Sequence, residues 1–173
     1  MEKCSIDVIS VLKSQGLCVM GKQSIVDEIK KVCFSRGASI GGDPHPEFIT
    51  NLEYLLRTRN YRVEKEYRLL YNHRTLKTGK VRRVHGDVDL FAEGWNHKIA
   101  IEYDGLTSLR YKSIEKLLQS NADILIGIVG NGTLNHNKER ILEVMDYLRI
   151  KNRKLLLIAV SEKASEEVCW QDH

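Results

Sequence analysis

The chain has no long apolar run. Its longest, Ile124–Val129 and Leu155–Val160, are far too short to span a bilayer as a helix. A leader with a basic stretch, an apolar stretch and a small-residue cleavage site is also missing from the N-terminus, so an intracellular, cytoplasmic protein is expected. Cysteine is sparse. Cys4, Cys18, Cys33 and Cys169 form no Cys-x-x-Cys pair and no zinc pattern with the six histidines. This excludes a disulfide scaffold and a zinc module, and points to buried free thiols in a reducing compartment. Only two prolines occur, Pro44 and Pro46, and with Gly37, Gly41 and Gly42 they mark one linker at 37–46. No segment is repeated and none is low in complexity.

The rest has the composition of an ordinary globular domain, and 173 residues can bury a sizeable core. The expected organisation is a helical element over 1–40 and an α/β domain over 41–173. In the first part, residues 5–15 read as a short amphipathic helix. A second helix opens on a capping box formed by Ser24 and Asp27 and stops near Gly37. The pair reads as a packing element or homodimer interface, since its second helix has few cations to offer a nucleic acid. Beyond the linker, apolar spacing predicts a helix over 46–59 and strands over 61–71, 81–92 and 97–103. A helix capped by Thr107 or Ser108 and running to Gln119 follows, then a strand at 123–129, a helix at 136–149 and a strand at 154–160. Residues 161–173 read as a lightly ordered tail. Alternation of helices and strands makes the fold class α/β, with helices flanking a mixed sheet.

Charge is unevenly spread. Between Arg57 and Arg83 there are ten Lys or Arg and only two acids, Glu64 and Glu66, so that segment carries +8 and the remainder −4. Arg74, Lys77, Lys80, Arg82 and Arg83 are the candidate phosphate contacts. Tyr67, Tyr71 and His73 interleave with them; such aromatics stack on bases or pack across strands. The block leads directly into an acidic cluster. His85-Gly86-Asp87-Val88-Asp89-Leu90-Phe91 is followed by a turn and then by Ile99-Ala100-Ile101-Glu102-Tyr103-Asp104-Gly105. Apolar strands carry several acids chiefly where a cation sits between them. Regular alternation puts Asp87, Asp89 and Phe91 on one face, and Lys98, Ala100, Glu102 and Asp104 on one face of the next strand. A turn centred on Trp95 and Asn96 places Asp89 across from Glu102, with Cβ atoms ~5 Å apart. A hard divalent cation would relieve that repulsion.

The strand text Gly-Asp-Val-Asp-Leu at 86–90, the Ile-Glu-Tyr-Asp-Gly at 101–105 and their place within helix–strand–strand–strand–helix–strand resemble the PD-(D/E)XK nuclease superfamily. Residues 101–105 are similar to the Glu-x-Asp-Gly variant of very-short-patch-repair-type endonucleases. The spacing of Asp89 and Glu102 also resembles that of archaeal Holliday-junction resolvases. The resemblance covers roughly 46–130. It implies a restriction-endonuclease-like core and a Mg²⁺- or Mn²⁺-dependent endonuclease acting on DNA, with no membrane partner. It further implies Asp89, Glu102 and the Tyr103 carbonyl as metal ligands, with Glu47 on the preceding helix in support. The chain departs from the pattern at one point: the lysine two residues after the Glu is Asp104. Asp104 then binds a second ion or holds an incoming cation, and Lys98 or Lys112, ranked equally, replaces the lysine, with Lys116 one helical turn beyond Lys112 as a further substitute. The departure keeps open a catalytically silent fold that binds nucleic acid or a protein partner. His85 and His97 flank the motifs as proton carriers or strand-end structural residues. Gly130-Asn131-Gly132 ahead of a helix raises a weaker nucleotide-binding alternative, lacking a third glycine and a ribose-binding acid.

Overall fold

A computed structural model describes residues 22–35, 45–75 and 78–170. The helix expected at 5–15, most of the linker, Cys4, Cys18 and Lys77 lie outside the described residues. Among the described residues the chain is α/β, a six-stranded mixed sheet flanked by four helices. The elements are α1 (Lys22–Ser35), α2 (His45–Thr58), β1 (Arg62–Arg74), β2 (Val81–Glu93), β3 (Lys98–Asp104), α3 (Tyr111–Gln119), β4 (Ile124–Val129), α4 (Leu134–Leu148), β5 (Lys154–Ala159) and β6 (Ala164–Cys169). Sheet order follows chain order. β1, β2 and β3 form an antiparallel meander, β4 and β5 are parallel to β3, and β6 returns antiparallel on β5. No described helix is long and apolar enough to cross a membrane.

Two cores result. On one face Ile25, Ile29, Leu52 and Leu56 of α1 and α2 pack on Leu90, Ile101 and their neighbours. On the other, Ile114, Leu117 and Leu118 of α3 and Ile141 and Val144 of α4 pack on Phe91, Ala100 and Leu125. The central strands β4 and β5 are therefore apolar on both sides, as parallel strands between helix layers must be.

Three expectations need correction. Residues 164–169 form an edge strand rather than a tail; Val168 alone in it is buried, so the text lacks a strand's apolar alternation. Ser24 lies inside α1, which already runs at Lys22, and Asp27 bonds Gln23 instead of closing a cap. Neither Thr107 nor Ser108 caps α3: the N-cap is Arg110, whose side chain has no acceptor to offer the helix, and Asp104 accepts its backbone N–H at 2.9 Å.

β1 and β2 are 13 residues each, but β3 pairs only with Leu90–Glu93. The outer hairpin therefore leaves the sheet as a two-stranded ribbon, roughly 23 Å from Tyr67 to Arg74 at a strand's usual rise. It is tied to α3. Gln119 accepts from the Asn72 N–H and donates to the Asn72 carbonyl. Glu115, fully buried, accepts from the Arg74 N–H at 2.9 Å, contacts His73 Nδ1 at 2.6 Å and accepts from the Tyr147 hydroxyl.

Candidate active site

The β2–β3 register pairs Leu90 with Ile101 and Phe91 with Ala100, so the next step sets Asp89 against Glu102. At that step the backbone ladder ends. Asp89 Oδ2 takes the place of a ladder carbonyl and accepts the Tyr103 N–H at 2.8 Å. The strand is irregular here: Glu66, opposite Asp89 on β1, is left-handed with φ 52° and drops out of the ladder. As a result Val88 joins Phe91 in the same core, while Leu90 and Ala92 face the other. The strict alternation expected for Asp87, Asp89 and Phe91 therefore fails, and Asp87 is exposed.

Glu102 is 0% exposed and neither carboxylate oxygen has a well-directed hydrogen bond. Lys116 Nζ lies 2.6 Å from Oε1, an ion pair without good donor geometry. Burial pushes the Glu102 carboxyl up to about 8, with Lys116 and the buried Ser113 hydroxyl opposing the rise and Asp89 adding to it. The Lys116 ammonium also donates to the Asp87 carbonyl at 2.5 Å. Its stem passes Gly86, where a Cβ would lie 3.2 Å from Lys116 Cδ and 2.8 Å from the Tyr71 ring. A glycine at 86 gives the lysine its path.

The other cations are elsewhere. Lys98 Nζ pairs with Glu93 at 3.0 Å, and its N–H bonds Asp123, at the far end of β3 from Asp104. Lys112 is exposed on α3. Lys116 is therefore the lysine that the fold brings to Glu102. Asp104 is nearly buried and directs both oxygens at Arg110, accepting its N–H at 2.9 Å and its Nε at 2.7 Å. Glu47 is exposed in the first turn of α2, whose Phe48 stacks on Tyr103 at 4.5 Å. His85 is exposed, whereas His97 is buried against the Tyr61 hydroxyl, and burial lowers its imidazole. Among the described residues no three His, Cys, Asp or Glu side chains converge as a ligand group. Two carboxylates suffice for Mg²⁺, which keeps several waters, and an unsatisfied buried carboxylate fits such an ion.

Within the basic block, Arg59 pairs with Glu28, Arg62 with Glu93, and both Arg57 and Lys65 with Glu53. Arg74 lies over the Tyr147 ring at 5.0 Å. Arg68, Lys80, Arg82 and Arg83 are exposed on the ribbon, with no acid paired to them among the described residues. Tyr67 stacks on Phe91 at 4.2 Å and Tyr71 is buried, so both aromatics pack across the meander.

The glycine loop has a structural use. A Cβ on Gly132 would meet the Thr107 carbonyl oxygen at 2.1 Å, and one on Gly130 the Gly105 oxygen at 2.8 Å. The N-terminus of α4 is occupied by Glu162, which accepts the Leu134 N–H at 2.9 Å. That leaves the loop packed on its neighbour and the helix end filled by an acid.

No family model and no curated protein matches the chain. Among solved structures it is similar to the crystal structure of SSO0001, at 16% identity and a TM-score of 0.36, over 96% of this chain and 77% of that one.

Proposed function

We propose that the chain is a metal-dependent endonuclease that hydrolyses phosphodiester bonds of DNA, with a PD-(D/E)XK-type site. The observation that carries this reading is Glu102: a fully buried carboxylate, set opposite Asp89 one step past the last paired residues and 2.6 Å from an ammonium. Such a group costs stability, and perturbed buried carboxylates of this kind cluster at sites of chemistry. Asp89, Glu102 and, by the resemblance, the Tyr103 carbonyl would hold Mg²⁺ or Mn²⁺. The ion, when bound, supplies Lewis-acid polarisation of a phosphate oxygen and a more acidic water. Lys116 stands in for the lysine missing at position 104. Its ammonium donates to the Asp87 carbonyl and lies against Glu102, which leaves donor capacity for a water or a phosphate oxygen. The ribbon supplies the sequence-independent grip. A two-stranded ribbon fits the major groove, and Arg68, Lys80, Arg82 and Arg83 would neutralise phosphates along it.

A second reading has its own support. The Lys116–Glu102 pair already compensates much of the buried charge, as it would in a silent fold that binds DNA without cutting it. Incubation with plasmid, linear and branched DNA in Mg²⁺, Mn²⁺ or EDTA separates the two. Nicking that needs the metal and is lost in both Asp89→Asn and Glu102→Gln, with DNA binding retained, supports the nuclease. Wild type that binds DNA and cuts nothing with either metal supports the silent fold.

A further inference from the structure

The position where the superfamily pattern has lysine carries an acid, and the acid is fully engaged. Asp104 is 5% exposed, yet its partner Arg110 is 65% exposed at the side chain. One carboxylate oxygen takes the backbone N–H that opens α3; the other takes Nε. The backbone bond alone would satisfy the helix entry. The second bond fixes the plane of the guanidinium, and it does so through Nε, leaving both terminal amino groups without an acceptor among the described residues. The site side of α3 then presents Arg110 at its start and Lys116 further along, beside Asp104 and Glu102 of β3. Those two acids are two strand positions apart, about 6–7 Å. The loop carrying Arg110 is held from behind: Asn137, fully buried, accepts the Leu109 N–H at 2.7 Å and donates to the Thr107 carbonyl.

We propose that Asp104 and Arg110 form a phosphate clamp, in which Arg110 binds a backbone phosphate adjacent to the one presented to Glu102 and Asp104 is its positioning residue. The inference rests on the nucleic-acid reading above and names a contact within it. A planar fork with two free amino groups matches two phosphate oxygens, which a lysine cannot do. The guanidinium end of the pair stands in solvent, where an ion pair adds little to stability, so the Nε bond serves better to aim the arginine than to staple the fold.

The test is binding of a fluorescent DNA duplex by anisotropy across a salt series in EDTA. Wild type is compared with Arg110→Ala, Arg110→Lys, Asp104→Asn and the double variant Arg82→Ala/Arg83→Ala, each with a thermal melt. Arg110→Ala should lower the slope of log affinity against log salt by about one. Asp104→Asn should weaken affinity in the same direction, and Arg110→Lys should restore the slope but not the full affinity. If Arg110→Ala fails to fold, Arg110→Lys with wild-type affinity overturns the clamp. An unchanged slope and affinity in Arg110→Ala, with a reduced slope in the ribbon variant, overturns the clamp and leaves the DNA reading standing. Wild type with no salt-dependent binding overturns both.

Discussion

Glu102 makes the sharpest demands on the chain. Its carboxyl is raised by burial to about 8, against about 4.3 in an unfolded chain. Between those values the folded protein binds the proton and the unfolded one does not, so stability falls as pH rises through the window. In EDTA, Glu102→Gln should match wild type near pH 4, melt increasingly higher than wild type as pH rises to about 8, and hold a constant lead above that. Parallel melting curves across that range would mean that the carboxylate is not held neutral. Lys116→Ala should abolish cleavage, while Lys98→Ala, whose lysine pairs with Glu93, and Lys112→Ala should leave kcat within about twofold. Single-turnover assays read this directly. The opposition of Asp89 and Glu102 was legible in the text because a tight turn at 95–96 fixes register. The text favours Lys98 and Lys112 equally and sets Lys116 behind them. Choosing it requires knowing which face of α3 meets β3 and that Gly86 leaves a channel for its stem. Arg110 carried no signal at all, since nothing in Asp104-Gly105 reveals a bond to a residue six positions on.

At the level of elements, the four-residue pairing of β2 with β3 matters more than the strands' lengths. The ladder's early end lets Asp89 reach across to Tyr103 and gives the outer hairpin its independence from the sheet. Helices and central strands were readable because their apolar periods are regular. β6 was not, since an edge strand buried at one position has no period to read. The glycine loop shows how a motif's shape misleads: the same Gly-x-Gly that would admit a phosphate here admits the carbonyls of residues 105 and 107. Gly132→Ala should therefore cost about 1–3 kcal/mol, the usual penalty for forcing atoms into a packed space. Denaturant unfolding measures it, and a neutral substitution would show the two loops to be loosely apposed. Asn137→Leu strips the Leu109 N–H of its acceptor and should cost a similar amount, about 1–3 kcal/mol for a buried unsatisfied donor.

Across the whole molecule, the basic block that stands out in the sequence divides into two populations. Nearer the sheet, Arg57, Arg59, Arg62 and Lys65 are answered by Glu53, Glu28 and Glu93, acids lying outside the +8 segment, so much of its excess is neutralised locally. On the ribbon, Arg68, Lys80, Arg82 and Arg83 stay exposed, with no acid paired to them among the described residues. The field a polyanion meets is thus concentrated on the protruding hairpin rather than spread over the block, and α3 holds that hairpin through Glu115 and Gln119 on the same side of the sheet as Lys116. Counterion release depends on how many phosphates are neutralised, not on how many cations the sequence contains. Arg82→Ala/Arg83→Ala should therefore lower the salt slope of DNA binding by roughly one to two. Arg59→Ala/Arg62→Ala, removing the same formal charge from the paired population, should leave it within error. Equal losses from both doubles would mean that DNA senses only net charge, and the ribbon would lose its claim to be the gripping element.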